Sequence, residues 1–168
     1  MNKNLCFFLL ALLCSYFLQA QSKREFPRQF SDTALNAKLI NLQGDTFSFK
    51  EVLQKNQGKS CFVDMWASWC KDCIQGFPKA KEMFDNYEKN NHFLFLSIDK
   101  STDKWKEAID KYDLRGQHYL ILGEWKNPIG NFIKLDWIPR YMVLDGKANI
   151  IEWKEIQADH ENIQKKLK

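Results

Sequence analysis

The sequence predicts an α/β domain in which helices flank a central mixed β-sheet, with an N-terminal β-hairpin as an extension. Two nearly continuous apolar runs, at 61–67 and 93–98, are typical of parallel strands that are covered on both faces. A helical pattern lies between them, which is the order of a parallel strand–helix–strand crossover. A second hairpin pattern, at 141–153, adds antiparallel strands near the end of the chain.

The first half of the chain supplies the elements up to this crossover. Residues 38–43 and 46–49 alternate between apolar and polar side chains around a Gly-Asp turn, which predicts a hairpin. A short helix or turn is expected at 50–57, before the first buried strand. The crossover helix is expected to follow Cys70 and to run to about Lys89, because its apolar residues recur every three or four positions.

In the second half of the chain, helices and strands are again expected in turn. Ser101 is suited to cap a helix, because its hydroxyl can accept a hydrogen bond from a free N–H group of the first turn. A third strand is expected at 117–122 and a short helix or loop at 126–133. A closing helix is expected after Asp159.

Along the chain we expect three parts. Residues 1–20 contain one lysine, no acidic residue and a long apolar run, which predicts a signal peptide. Residues 21–34 are polar and basic and predict a flexible lead-in, and residues 35–168 are long enough for a single domain with its own core. The leader predicts an exported, periplasmic protein, and Cys14 offers the alternative of a lipid anchor in the membrane. The net charge of +4 is small and dispersed, so nucleic acid is not expected as a partner.

Three cysteines lie outside the predicted leader, at Cys61, Cys70 and Cys73. They are too few for a disulfide framework, and Cys61 lies in mid-strand, where a small buried apolar residue fits. The Cys-x-x-Cys pair at 70–73 could be half of a zinc site, a structural disulfide or a redox pair. No histidine has ligand spacing to the pair, and a ring this small constrains the unfolded chain very little. The pattern therefore favours redox chemistry, with no metal.

Cys70 lies where the first buried strand gives way to a helix. The free N–H groups of a helix start favour a thiolate, so we expect an exposed, nucleophilic Cys70. Cys73 follows one turn later, and we expect it to be buried and to act as the resolving thiol.

The segment at 63–73, Val-Asp-Met-Trp-Ala-Ser-Trp-Cys-Lys-Asp-Cys, resembles the active-site segment of thioredoxins. Together with the leader, the N-terminal hairpin, Pro78 and the later Ile138-Pro139, it resembles the TlpA/ResA-like exported thiol–disulfide oxidoreductases, over roughly residues 35–168. The resemblance implies a thioredoxin-like fold without a cofactor, and proteins with thiols or disulfides as substrates. It also implies a reductant rather than an oxidase, with a membrane protein as electron donor. We expect a monomer.

The resemblance also implies roles for single residues. Cys70 matches the attacking cysteine and Cys73 the resolving one. Pro139 matches a cis-proline that lies against the disulfide, where with Ile138 it would bind the substrate chain. Trp69 matches the aromatic residue beside the site. In addition, Trp66 is expected in the core, Pro78 at a kink of the helix, and Arg140 either at the substrate groove or at a solvated strand end.

The acidic residues near the resolving cysteine depart from the pattern of the exported family. Asp64 lies six residues before Cys70, where thioredoxins carry a buried acid, and we expect it to transfer the proton of Cys73. The alternative is a salt bridge with a nearby lysine. Many exported relatives have a glutamate three residues after the second cysteine, but this chain has Gly76 there.

Two other functions remain open at this point. One is a thioredoxin-fold thiol peroxidase, which would turn over peroxide. The other is a non-catalytic module of the same fold that binds a metal or a partner. The sequence favours the oxidoreductase because the Trp-Cys-x-x-Cys segment is more specific than a Cys-x-x-Cys pair alone.

Overall fold

The structure is a computed structural model that describes residues 26–168. The predicted signal peptide, Cys14 and the first five residues of the predicted lead-in lie outside the described residues. Within residues 26–168, no helix combines the length and the apolar character that crossing a membrane requires.

One seven-stranded mixed sheet forms the centre of the molecule, in the order β2-β1-β5-β4-β3-β6-β7. The strands are β1 (Lys38–Ile40), β2 (Thr46–Ser48), β3 (Ser60–Trp66), β4 (Asn91–Ser97), β5 (Gln117–Ile121), β6 (Arg140–Leu144) and β7 (Ile150–Glu155). Strands β3 and β4 pair parallel and the hairpins at both ends pair antiparallel, as the sequence predicts. Strands β4 and β5 form a second parallel pair.

Six α-helices connect and cover these strands in the described part of the chain. They are α1 (Asp32–Leu35), α2 (Phe49–Lys55), α3 (Lys71–Tyr87), α4 (Thr102–Lys111), α5 (Pro128–Phe132) and α6 (Glu161–Leu167). Ser101 accepts a hydrogen bond from the Lys104 N–H group and caps α4, as predicted. The crossover helix α3 ends at Tyr87, two residues before the predicted end.

The position of β3 explains why the site forms here. Strand β3 lies between β4 and β6, and from Cys61 to Trp66 every residue is buried. Trp66 packs against Phe77 of α3 with ring centroids 5.3 Å apart, which confirms its place in the core. Because β3 is held on both edges and both faces, the loop that follows it presents residues 67–70 from a rigid support.

The segment before α1 packs against the domain where it is described. Phe30 is buried against Phe49, and the ring of Phe26 stacks on Trp153 of β7 at 3.8 Å. The Arg28 carbonyl accepts a hydrogen bond from Ile150 N–H at the start of β7. The flexible lead-in expected over 21–34 therefore differs from the structure over residues 26–34. The sequence around Phe26 and Phe30 is polar, and the residues they pack against lie far away in the sequence. The local pattern therefore does not predict this packing.

Candidate active site

Cys70 and Cys73 form a disulfide at the start of α3, with their Cα atoms 5.2 Å apart. Cys70 is the N-cap residue of this helix, and its Sγ accepts a hydrogen bond of 3.0 Å from the Cys73 backbone N–H. A donor at this distance would stabilise a thiolate on Cys70 after the disulfide is reduced. The local geometry therefore supports Cys70 as the attacking sulfur, as the helix-start position predicts.

The prediction that Cys70 is exposed is wrong. Cys70 is only 6% exposed, and Cys73 is fully buried, so the predicted order holds but both cysteines belong to the buried set. The carbonyl oxygen of Ile138 lies 3.6 Å from the Cys70 Sγ and covers it on one side. A substrate must therefore reach the sulfur through an adjoining groove.

That groove has a volume of about 200 Å³ and is lined by Trp69, Cys70, Lys71, Asp72, Trp125, Trp137 and Ile138. All three tryptophan side chains are exposed. Trp69 lies beside the site as predicted, but Trp125, in a 3-10 helix (Glu124–Lys126), and Trp137 come from segments far along the chain. Sequence reasoning missed both, although Trp137 directly precedes the Ile138-Pro139 pair that the family resemblance places at the site.

The Ile138–Pro139 peptide bond is cis, as the family resemblance implies. Ile138 lines the groove beside Cys70, and both residues immediately precede β6. Their role in binding a substrate chain stays a prediction.

A buried aspartate braces the loop that carries the site. Asp99, just after β4, accepts a hydrogen bond of 2.8 Å from the Ser68 N–H and one of 2.7 Å from its hydroxyl. The Ser97 hydroxyl donates to the same carboxylate at 2.7 Å. These bonds fix the loop between β3 and α3 to the end of β4. Sequence reasoning missed Asp99, because nothing local connects it with a loop thirty residues earlier.

Asp64 is fully buried in β3, and neither of its carboxyl oxygens has a hydrogen-bond partner among residues 26–168. Burial raises its pKa well above the ordinary value for an aspartate, because the charged form loses its hydration. The alternative of a salt bridge with a lysine is therefore wrong. An isolated buried carboxyl is costly, which makes Asp64 a candidate for proton transfer.

Tyr141 is a second buried polar group that the sequence analysis does not single out. It lies directly opposite Asp64 in the antiparallel register of β3 and β6. Its hydroxyl, too, lacks a hydrogen-bond partner in the described part of the chain. A Cβ atom at Gly76 would stand 2.8 Å from this hydroxyl oxygen, so Gly76 leaves the space that Tyr141 occupies. A glycine inside a helical pattern was the available signal of such a close approach.

Both expectations for Arg140 are wrong. Its side chain is 2% exposed, so it neither lines the groove nor extends into solvent. Its guanidinium donates a hydrogen bond of 2.5 Å to the exposed Asp136, and this bond lowers the pKa of Asp136. Arg140 pairs with Met65 across the two strands, which places it in the interior of the sheet.

The remaining candidates lie outside the site. Cys61 is a buried free thiol whose pKa is raised to about 12 by burial. His118 is buried, stacks on Phe95 and makes a 3.0 Å hydrogen bond to the Leu114 carbonyl oxygen through Nε2. Among the residues that the structure covers, no three His, Cys, Asp or Glu side chains come together in a group that could hold a metal ion.

Comparisons with known proteins agree with this geometry. Residues 57–150 match a family described as thioredoxin-like. The thioredoxin-like protein YneN of Bacillus subtilis is 31% identical over 121 residues, which cover 68% of this chain and 69% of that protein. The thiol-disulfide oxidoreductase ResA of Bacillus thuringiensis is 27% identical over 123 residues, with the same shares of the two chains.

Two solved structures share the fold. The thioredoxin domain of a thiol-disulfide oxidoreductase from Bacteroides vulgatus superposes with a TM-score of 0.67 at 16% identity, over 83% of this chain and all of that one. A secreted disulfide oxidoreductase from Mycobacterium tuberculosis gives a TM-score of 0.60 at 15% identity, over 81% and 96% of the two chains. The predicted thioredoxin-like fold is confirmed. With its Cys-x-x-Cys disulfide at a helix start and these relatives, the chain belongs to the thioredoxin-like family, among the thiol–disulfide oxidoreductases of the TlpA/ResA type.

Proposed function

We propose that this protein is an exported, periplasmic reductant of protein disulfides, in which Cys70 attacks and Cys73 resolves. The observation that carries the assignment of roles is the difference between the two sulfurs. Cys70 accepts a backbone N–H bond and adjoins the groove, whereas Cys73 is fully buried one helical turn further along. Thiol exchange needs this asymmetry, because the first thiolate must meet the substrate and the second must meet only the first.

The reaction proceeds in two exchanges. The Cys70 thiolate attacks one sulfur of the substrate disulfide, and the other substrate sulfur leaves as a thiolate. Cys73 then loses its proton and attacks the Cys70 sulfur, which releases the second substrate thiolate and closes the Cys70–Cys73 disulfide. The substrate gains two electrons and the protein loses two. Trp69, Ile138 and Pro139 would hold the substrate chain in the groove, and Asp64 would take the proton of Cys73.

Two features support work as a reductant. The resemblance to the exported reductants is one. The other is the full burial of Cys73, since a buried site disfavours a thiolate and so favours the disulfide. A membrane protein would supply the electrons that return the disulfide to the dithiol, and we propose that the protein acts as a monomer.

Export is supported by the composition of residues 1–20 and by the likeness in fold to a secreted oxidoreductase. Fractionation of cells that express the full chain tests this part of the proposal. The protein is expected in the periplasmic fraction without its first residues. A membrane-bound protein that carries lipid at Cys14 would replace this proposal with the lipid anchor.

Reduction of insulin by dithiothreitol tests the activity. The protein should accelerate the reaction, and Cys70→Ser should remove the acceleration. Cys61→Ala is the matched control, because it deletes a thiol that is buried in β3 outside the site, and it should keep the activity. Turnover of peroxide without insulin reduction would instead indicate a thiol peroxidase.

The direction of electron flow is tested separately by the reduction potential of the Cys70–Cys73 pair. Equilibration with a series of dithiothreitol buffers should give a value below the cytosolic glutathione couple, which lies at about −220 to −260 mV by extraction. A potential well above that range would contradict the assignment as a reductant and leave the exchange activity intact.

The two cysteines should also differ in what they trap. Cys73→Ser retains the attacking Cys70 but cannot resolve, so it should accumulate mixed disulfides with substrate proteins. Cys70→Ser should trap almost none, because Cys73 is buried. Non-reducing electrophoresis of the two variants after exposure to oxidised protein shows the difference. Equal trapping by both variants would refute the assignment of roles.

A further inference from the structure

The hydroxyl of Tyr141 is buried against the active-site helix. A Cβ atom added at Gly76 would lie 2.8 Å from the hydroxyl oxygen, so the hydroxyl lies close to the backbone of α3. Gly76 follows Cys73 by three residues, so the two face the same side of α3, roughly 5–6 Å apart. The Tyr141 hydroxyl therefore reaches the part of α3 from which the buried resolving cysteine points.

Tyr141 and Asp64 lie side by side beneath this helix. They are direct partners in the register of β6 and β3, so their side chains leave the sheet on the same face. Both are fully buried, and neither the hydroxyl nor the carboxyl has a hydrogen-bond partner among residues 26–168 in this disulfide state. Because both groups lack partners and share one register position, each is a candidate partner for the other.

Their chemistry is complementary. Burial and the negative charge of Asp64 both raise the pKa of the Tyr141 hydroxyl, so it keeps its proton and can donate a hydrogen bond. Asp64 can accept one, and its need is greatest when it is ionised, because a buried carboxylate without a donor is very unfavourable.

One further charge acts on Tyr141 from a different element. Asp159, just before α6, also raises its pKa, and it forms a salt bridge of 3.0 Å with Lys79 of α3. Asp159 is thus already paired with a cation. The titratable and charged groups around the Tyr141 hydroxyl are therefore Asp64 of β3, Cys73 of α3, and the salt bridge between Asp159 and Lys79.

We propose that the Tyr141 hydroxyl donates a hydrogen bond to the Asp64 carboxylate in the reduced protein and thereby sets the pH at which Cys73 resolves mixed disulfides. This inference rests on the proposed function. In the resolving step the proton of the Cys73 thiol passes to the Asp64 carboxylate, the Cys73 sulfur bonds to the Cys70 sulfur, and the substrate sulfur leaves with the electrons of the broken bond. Tyr141 transfers no proton itself. It is a positioning residue that acts through Asp64.

Stopped-flow reaction of the reduced protein with an equimolar aromatic disulfide, dithiobis(nitrobenzoate), resolves the two steps. The first coloured thiolate reports attack by Cys70, and the second reports resolution by Cys73. Tyr141→Phe should leave the first step unchanged and shift the pH profile of the second to higher pH by about one unit, since it removes a hydrogen bond to a charged group. Below the midpoint of the pH profile, the second step should be about tenfold slower in Tyr141→Phe than in the parent. At high pH the rates of this step should become equal in the two proteins.

Gly76→Ala provides the matched variant. Its methyl group would displace the Tyr141 hydroxyl, so it should shift the profile as Tyr141→Phe does. In the Tyr141→Phe background the oxygen is absent and the methyl group has room, so Gly76→Ala should add no further shift. Tyr141→Phe should likewise add nothing to Asp64→Asn, because it acts only through Asp64.

The outcomes separate the two proposals. An unchanged pH profile for Tyr141→Phe, or a Gly76→Ala shift that is equal in both backgrounds, overturns the role of the hydroxyl, while loss of insulin reduction in Cys70→Ser would still support the exchange activity. Absence of thiolate release from the parent protein overturns the proposed function and this inference with it. A Tyr141→Phe protein that is less stable but has the parent's profile reduces Tyr141 to a packing residue.

Discussion

Asp64 differs from the other acidic side chains of the site in what surrounds it. Asp99 is also buried, but it accepts three hydrogen bonds from Ser68 and Ser97. Asp64 accepts none in the described part of the chain, and burial raises its pKa. A carboxyl that costs stability and supports no local structure is expected to be retained for chemistry.

At the scale of this residue, we predict that Asp64→Asn slows resolution by Cys73 and leaves the attack by Cys70 nearly unchanged. General acid–base catalysis contributes about 10²–10⁴-fold, and the loss should fall at or below the lower end because bulk water can replace the base. The two-step release of aromatic thiolate measures both rates. Asp110→Asn, exposed on α4 and outside the groove, is the control. Equal resolving rates for Asp64→Asn and its parent at every pH would leave Asp64 a structural residue.

At the scale of elements, the sequence was sufficient for the order of strands and helices from residue 38 onwards, because periodicity and capping are local properties. The N-cap at Ser101 and the buried strand β3 are examples. The contacts that complete the site are not local. Trp125 reaches the groove only because a segment distant in the sequence packs beside the helix start, and no pattern around it specifies this contact. Trp137 adjoins the Ile138-Pro139 pair that the family resemblance places at the site.

The contact between β4 and the active-site loop also has a measurable consequence. We predict that Asp99→Asn destabilises the protein by about 1.5–3 kcal/mol, since it weakens hydrogen bonds to a charged group. It should also lower the rate of attack by Cys70, because the loop that precedes the helix start loses its support. Urea unfolding and the first phase of thiolate release measure the two effects. Asp103→Asn, exposed at the start of α4, is the control and should change neither. A stable Asp99→Asn variant would contradict this bracing role.

At the scale of the whole molecule, two buried groups act on stability in opposite directions with pH. The folded pKa of Asp64 is raised above the unfolded value of about 3.9, so the folded state holds more protons and stability falls as the pH rises from there towards the folded pKa. The pKa of His118 is lowered to about 4 by burial, so between about 4 and 6.5 the unfolded state holds more protons and stability rises with pH. Where that window lies below the folded pKa of Asp64, the two slopes oppose each other, and each reaches at most about 1.4 kcal/mol per pH unit.

We therefore predict that single substitutions separate these slopes. Asp64→Asn should show stability that rises between about pH 4 and 6.5, and His118→Gln should show stability that falls as the pH rises from about 4. The parent should change less than either variant. Urea unfolding of the disulfide form at several pH values gives the curves. Parallel curves for the parent and both variants would show that neither group titrates as its burial implies.

The contact of residues 26–30 with β7 also protects the edge of the sheet. Strand β7 is the last strand of the sheet, and its first N–H group bonds to the Arg28 carbonyl while Phe26 covers Trp153. Uncovered edge strands are templates for pairing with other chains. A chain shortened to begin at residue 31 would present an indole and an unpaired backbone edge to its neighbours. It would keep the redox site and lose its resistance to aggregation.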